Sequence, residues 1–253
     1  MTAPLHVVRA GNGPLVVLVH GSATDHTTWT IQLANPALKE RVRLLAYDRR
    51  IGVSIEEHAA DLATLLDEPA LVVGSSCGAV VVLELARQGH RHLTGMMLLE
   101  PPLPPSDERG SYHQMQDAML AELDRLAREQ DDGAAAELFL RTVLGDAAWG
   151  RLPKRFQERS KTYWPQIRGD CLALAAYRVR YDELAAIRVP ARLLGGDRSA
   201  AYFRPTLDAL TAALGNARFE VLPGAGHMMQ AEASRGFHER LLRFAGELGL
   251  LLP

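Results

Sequence analysis

The chain has 253 residues, 47% hydrophobic and 23% charged, enough for one large domain with a sizeable core. A formal charge of −2 gives no sign of a nucleic-acid or anionic-membrane partner, and no apolar run reaches the roughly 18 residues of a membrane span. Two cysteines, Cys77 and Cys171, are too few for a disulfide framework, and Met1-Thr2-Ala3-Pro4-Leu5-His6 shows no basic region leading into an apolar stretch; together these predict a cytoplasmic protein without a signal peptide.

Short apolar runs alternate with helical patterns along the chain. Residues 15–19 predict a buried strand ending at His20-Gly21, and residues 42–47 a second, ending at Asp48. Ile55, Ala59, Leu62, Leu65 and Leu66 then recur at helical spacing, and Ser54 with Glu57 three residues on marks a capping-box start. A third strand over residues 71–74 runs into Gly74-Ser75-Ser76-Cys77-Gly78, followed by a helix. Residues 95–99 predict a fourth strand, stopped by Pro101-Pro102.

The alternation stops there. Residues 103–187 contain no convincing strand. Met115, Met119, Leu123 and Leu126 share one helical face, Leu138, Val143 and Leu144 suggest a second helix, and residues 172–181 a third, with Cys171 at its start and a turn at Asp131-Asp132-Gly133. Two more strands follow, at residues 191–194, ending at Gly195-Gly196-Asp197, and at residues 218–222, ending at Pro223-Gly224-Ala225-Gly226-His227. The pattern predicts an α/β fold with a mostly parallel sheet, its core made by residues 1–102 and 188–253 and carrying residues 103–187 as a helical lid.

Ligands of an open parallel sheet bind at the carboxyl ends of its strands. The notable polar residues all fall at such ends: Ser22, Ser76, Asp197 and His227. Gly74 to Gly78 reads G-x-S-x-G, in which a strand turns sharply into a helix and lifts the central hydroxyl above the sheet. A serine hydroxyl is a weak nucleophile without a base to take its proton. Histidine suits that role, and a carboxylate orients and stabilises its ring. Spacing to both glycines makes Ser76 the nucleophile rather than Ser75, and the later His227 and Asp197, each closing a strand, are the candidate base and acid. Glu100, which also ends a strand, is the alternative acid. The oxyanion of a tetrahedral intermediate needs backbone N–H donors, expected from Cys77, which follows the nucleophile, and from Ser22.

These motifs resemble the α/β-hydrolase superfamily in its branch with a helical cap, over essentially the full length. His20-Gly21-Ser22 is similar to the family's oxyanion loop, with Trp29 where that branch often has a tryptophan. Gly74 to Gly78 is similar to its nucleophile elbow. Gly195-Gly196-Asp197 and Gly224-Ala225-Gly226-His227 are similar to its acid and histidine loops, in the family's order. Asp25-His26 and Leu99-Glu100-Pro101-Pro102 resemble a bacterial subgroup whose substrates are mostly unassigned. Two positions depart from the pattern. Asp48-Arg49-Arg50-Ile51-Gly52-Val53-Ser54 is one residue shorter than the usual Asp-x-Arg-Gly-x-Gly-x-Ser, which predicts an open pocket edge. Ser75 stands where histidine is frequent.

The expectation is a serine hydrolase acting on a small or medium carboxylic ester or thioester through an acyl-enzyme, its partner a small acyl compound. No cofactor is implied, and without C-x-x-C or His-Glu-x-x-His no metal is expected. A lyase or cyclase on the same scaffold and a ligand-binding protein with a vestigial triad are the alternatives. His26 is read as a possible substrate contact. Trp149, Tyr163 and Trp164 are read as lid aromatics that either line the pocket or pack the lid itself. The basic residues between Arg151 and Arg168 are read as a solvated helix face.

Overall fold

The strand runs pair into one seven-stranded sheet in a computed structural model that describes residues 4–106 and 110–251; Met1, Thr2 and Ala3 of the N-terminal reading lie outside the described residues. The strands are β1 (Val7–Ala10), β2 (Leu15–Val19), β3 (Arg43–Tyr47), β4 (Ala70–Ser75), β5 (Leu93–Leu99), β6 (Ala191–Gly196) and β7 (Ala217–Leu222). Their order across the sheet is β1-β3-β2-β4-β5-β6-β7. Only β1 runs antiparallel to its neighbour, and every other adjacent pair is parallel. The six strands read from sequence are the parallel ones. β1 was not read as a strand because four half-exposed residues at an edge carry little pattern.

The central strands are apolar on both faces because helices cover both. Along β2, Val16 and Leu18 enter the core on one side, and Leu15, Val17 and Val19 the core on the other. The first core is closed by the short helices α1 (Thr30–Ala34) and α2 (Pro36–Lys39), and by α12 (Met229–Glu232) and α13 (Ser234–Glu247). The opposite core packs under α3 (Ile55–Ala63), α4 (Cys77–Arg87) and α11 (Phe203–Ala213). Helix α3 starts at the expected place: Ser54 Oγ accepts from Glu57 N, and the Glu57 side chain accepts from Ser54 N.

Between β5 and β6 the described residues form helices α5 (Ser111–Glu129), α6 (Asp132–Leu144), α7 (Asp146–Arg151), α8 (Lys154–Lys161), α9 (Trp164–Ala176) and α10 (Tyr181–Leu184). Leu123, Ala135, Ala136, Phe139, Trp149, Trp164 and Ile167 give this insertion a core of its own. The expected turn at Asp131 is the N-cap of α6, where Asp131 accepts from Ala134 N, so Asp132 and Gly133 already belong to the helix. Helix α9 begins eight residues before the expected 172, because Pro165 sits in its first turn, where a missing N–H costs nothing. No helix among the described residues is long and apolar enough to cross a membrane.

Candidate active site

β4 carries Ser75 as its last residue and delivers Ser76 at φ 53°, ψ −124°, immediately before α4. A positive φ at a residue with a Cβ costs on the order of 1 kcal/mol or more, and such strain gathers at working sites. The neighbouring glycines make the turn possible. A Cβ at Gly74 would lie 2.4 Å from Gly78 O, and one at Gly78 2.5 Å from His20 O. Ser76 N donates to Leu99 O at 2.8 Å, tying the turn to the end of β5. Ser75 is buried in the strand, whereas Ser76 opens onto a cavity. Cys77 opens α4, so its N–H belongs to the first turn, which lacks intrahelical acceptors. Its thiol is pushed far above the ordinary range by burial and by the Asp170 carboxylate, so it carries no thiolate.

His227 lies on the loop after β7, and its Nδ1 is 2.6 Å from Glu100 Oε2. This partner is not the expected one. Asp197 is exposed and accepts from Gly224 N at 2.8 Å, and the structure does not bring it to His227. The reason is the strand order. β5 lies between β4 and β6, so the residue after β5 stands between the serine turn and the end of β6. Glu100 occupies that position at 1% exposure and φ 44°, and its other oxygen accepts from Gly196 N at 2.8 Å. The sequence signal was a carboxylate closing an apolar strand before Pro101-Pro102. The ring of Phe203, from the start of α11, stacks on His227 at 4.6 Å and 8°; sequence reasoning did not find this contact.

The cavity onto which Ser76 opens measures about 310 Å³. Its walls are mainly apolar, including Met115, Met119, Phe139, Val143, Leu174 and Phe203. Tyr112 and Tyr202 add phenols, Gln116, Thr142 and Glu122 further polar groups, and among the described residues no Lys, Arg or His lines it. Trp149 and Trp164 are buried in the insertion's own core, and Tyr163 bonds to Asp25, so none of the three lines this cavity. The short stretch after Asp48 meets the insertion at Gly169 of α9, where a Cβ would lie 3.0 Å from Gly52 N.

Beneath Ser22 lies a buried ionic cluster. Arg49 donates to Asp170 of α9 through both terminal nitrogens, at 2.9 and 2.7 Å, and to the carbonyls of His20 and Gly21 at 3.0 and 2.9 Å. Ser22 Oγ donates to Asp170 Oδ2 at 2.7 Å. Burial works to raise the Asp170 carboxyl, but the charge and hydrogen bonds of Arg49, with Ser22, hold it below its ordinary value. His20 is lowered to about 3, first by burial and then by Arg49. Its neutral ring donates from Nδ1 to Gly21 O and accepts from Arg49 N at Nε2.

The sequence pattern of the alpha/beta hydrolase family matches residues 16–240. The chain belongs to the alpha/beta hydrolase family. Within 40% of its length this alpha/beta hydrolase is 33% identical over 116 residues to the uncharacterized hydrolase YraK of Bacillus subtilis, and the match spans 42% of that protein. A thermophilic esterase from Thermogutta terrifontis has a similar structure, with a TM-score of 0.80 at 22% identity over 96% of this chain and 93% of the other. A bromoperoxidase from Bacillus anthracis gives 0.79 at 22% identity, covering 96% of each chain. At that identity the likeness concerns the fold, on which different reactions run.

His26 is not among the residues lining the cavity. Its ring Nδ1 and its amide both meet Asp48 Oδ1, each at 2.8 Å, and its ring lies 4.9 Å from that of His6. His6, His26 and Asp48 are the group of metal-ligating side chains that converges among the described residues, with ligand atoms within 4.8 Å of one another. None of them lines the cavity beside Ser76.

Proposed function

We propose that this alpha/beta hydrolase is a serine hydrolase that cleaves a neutral, largely apolar carboxylic ester or thioester through an acyl-enzyme. The observation that carries the reading is the buried 2.6 Å contact between His227 Nδ1 and Glu100 Oε2, with Glu100 following Leu99, whose carbonyl accepts from the strained Ser76. A carboxylate at Nδ1 makes that nitrogen the donor and leaves Nε2 to accept the Ser76 proton. Ser76 Oγ attacks the acyl carbon, and the oxyanion rests on the amides of Ser22 and Cys77. His227 protonates the departing alkoxide or thiolate. Water, deprotonated by the same ring, attacks the acyl-enzyme and releases the acid and free Ser76.

The cavity supports the substrate class. Among the described residues that line it there is no cation, and beside these a carboxylate on the substrate would lose its hydration without a partner, a cost of several kcal/mol. A volume near 310 Å³ lies at the small end of ligand sites. Residues 103–187 serve as the lid that walls this space, and the protein works without a cofactor.

Covalent labelling with a fluorophosphonate, followed by peptide mapping, tests the reading. Labelling at Ser76 that disappears in Ser76→Ala, with turnover of neutral p-nitrophenyl esters above that of anionic hemiesters, is expected. A folded wild-type protein that neither labels nor turns over esters would overturn it.

A further inference from the structure

The loop from His20 to Asp25 is held locally only at its two ends, by His20 Nδ1 on Gly21 O and by Thr27 and Thr28 on Asp25. Ala23 sits at φ 59°, a left-handed conformation that costs about 1–2 kcal/mol for a residue with a Cβ. The loop's middle, from Gly21 to Thr24, is gripped from α9 or through Arg49, which α9 holds. Tyr163, Gln166 and Asp170 are spaced i, i+3, i+7, which places them along one side of a helix. They meet the loop in reverse order. Tyr163 Oη donates to Asp25 Oδ2 at 2.6 Å, and Arg159 from α8 pairs with the same carboxylate. Gln166 donates to Thr24 O at 2.9 Å and accepts from Thr24 N at 3.1 Å, like the neighbouring strand of a sheet. Asp170 accepts from Ser22 and holds Arg49, which in turn holds the carbonyls of His20 and Gly21. Ala23 itself is buried in the insertion's core, in one cluster with Ile167 and Leu123.

We infer that Gln166 and Asp170 are positioning residues for the oxyanion site, so that α9 is a fixed template for the loop carrying Ser22 rather than part of a swinging lid. The inference rests on the serine hydrolase reading. Its physical basis is that a misplacement of about 1 Å at a reacting centre costs up to roughly 10² in rate, and this loop's backbone is set from outside itself. A lid motion that carried α9 away would expose the Arg49–Asp170 pair and release Ser22 together. Entry to the cavity then belongs to the α5 side, where Met115 lines the cavity and is 43% exposed.

The test uses the full chain and two variants, Gln166→Met and Asp170→Asn. Turnover is normalised to fluorophosphonate-titrated sites, so that partial unfolding does not count. A trifluoromethyl ketone, which adds to Ser76 and places an oxyanion in the hole, supplies the second readout. The expected result is a fall of about tenfold to a hundredfold in kcat per titrated site, with KM within about threefold. The ketone's inhibition constant should rise by the same factor as kcat/KM falls, a proportionality that a purely structural role would not produce. Asp170→Asn leaves Arg49 buried without its counter-charge; if that variant does not fold, Gln166→Met, which buries no charge, decides alone. Unchanged per-site kcat and ketone affinity in the folded variants overturns the inference and leaves the hydrolase reading standing. A wild-type protein without labelling or turnover overturns both.

Discussion

Glu100 combines a left-handed backbone, complete burial and a carboxylate with both oxygens engaged, one by His227 Nδ1 and the other by Gly196 N. Asp197 has one partner, Gly224 N, and faces solvent. The two carboxylates are therefore separable by isosteric amides. Glu100→Gln should lower kcat by roughly 10³ to 10⁴, the scale seen when the acid of such a triad becomes an amide. Asp197→Asn keeps an oxygen for Gly224 N and should change kcat by no more than about threefold. Steady-state kinetics on both variants checks this, and the opposite ranking would return the acid's role to Asp197. At this scale the sequence placed Ser76 at the turn before α4 and His227 on the loop after β7 through their immediate neighbours. Gly74 and Gly78 mark Ser76 because only residues without a Cβ fit against Gly78 O and His20 O. No such local mark distinguishes Glu100, because what selects it is the position of β5 beside β6.

Elements were legible where their own ends carry the signal. Helix α3 has a capping box at Ser54 and Glu57, and its start was read correctly from that pair. Ser54→Ala should cost about 1 kcal/mol of stability and leave ester turnover unchanged, measured by urea unfolding and initial rates; no shift in the unfolding midpoint would show that the cap contributes nothing. Helix α9 was read short because its first turns mix polar and apolar residues. Gln166 and Asp170 look like a solvent-facing pair in a one-dimensional pattern, yet both are buried. Their partners Thr24, Ser22 and Arg49 lie more than 100 positions earlier, a distance no periodicity spans. Tyr177, just past α9, repeats the theme: its hydroxyl donates to the buried Glu84 of α4 at 2.9 Å.

Across the whole molecule, burying ionisable groups beneath the site makes stability depend on pH. His20 is lowered to about 3 and His58 to about 4, in each case first by burial and then by the Arg49 charge. In the unfolded chain both rings take up protons as the pH falls below about 6.5. The folded chain takes them up only near 4 and 3. Between those limits the unfolded state binds more protons, so stability is full above about 6.5 and is lost as the pH falls through the window. Urea unfolding at pH 7.5 and pH 5 should differ on the order of a few kcal/mol, and His58→Gln should reduce the difference. Equal stability at the two values would contradict the burial of neutral rings.

The amino-acid sequence by itself determined the parallel strands, helices α3 and α4, and the placement of the elbow serine and the loop histidine. Each of these is written in contiguous residues: apolar runs, caps, and glycines at a turn that admits no Cβ. The tertiary structure alone decided which carboxylate meets His227, that the insertion's helix α9 grips the loop of Ser22, and that apolar side chains of the insertion wall the cavity beside Ser76. Those outcomes depend on strand order and on contacts between distant segments. A carboxylate's partner is set by which strand end lies within hydrogen-bonding reach, and that is a property of the folded sheet.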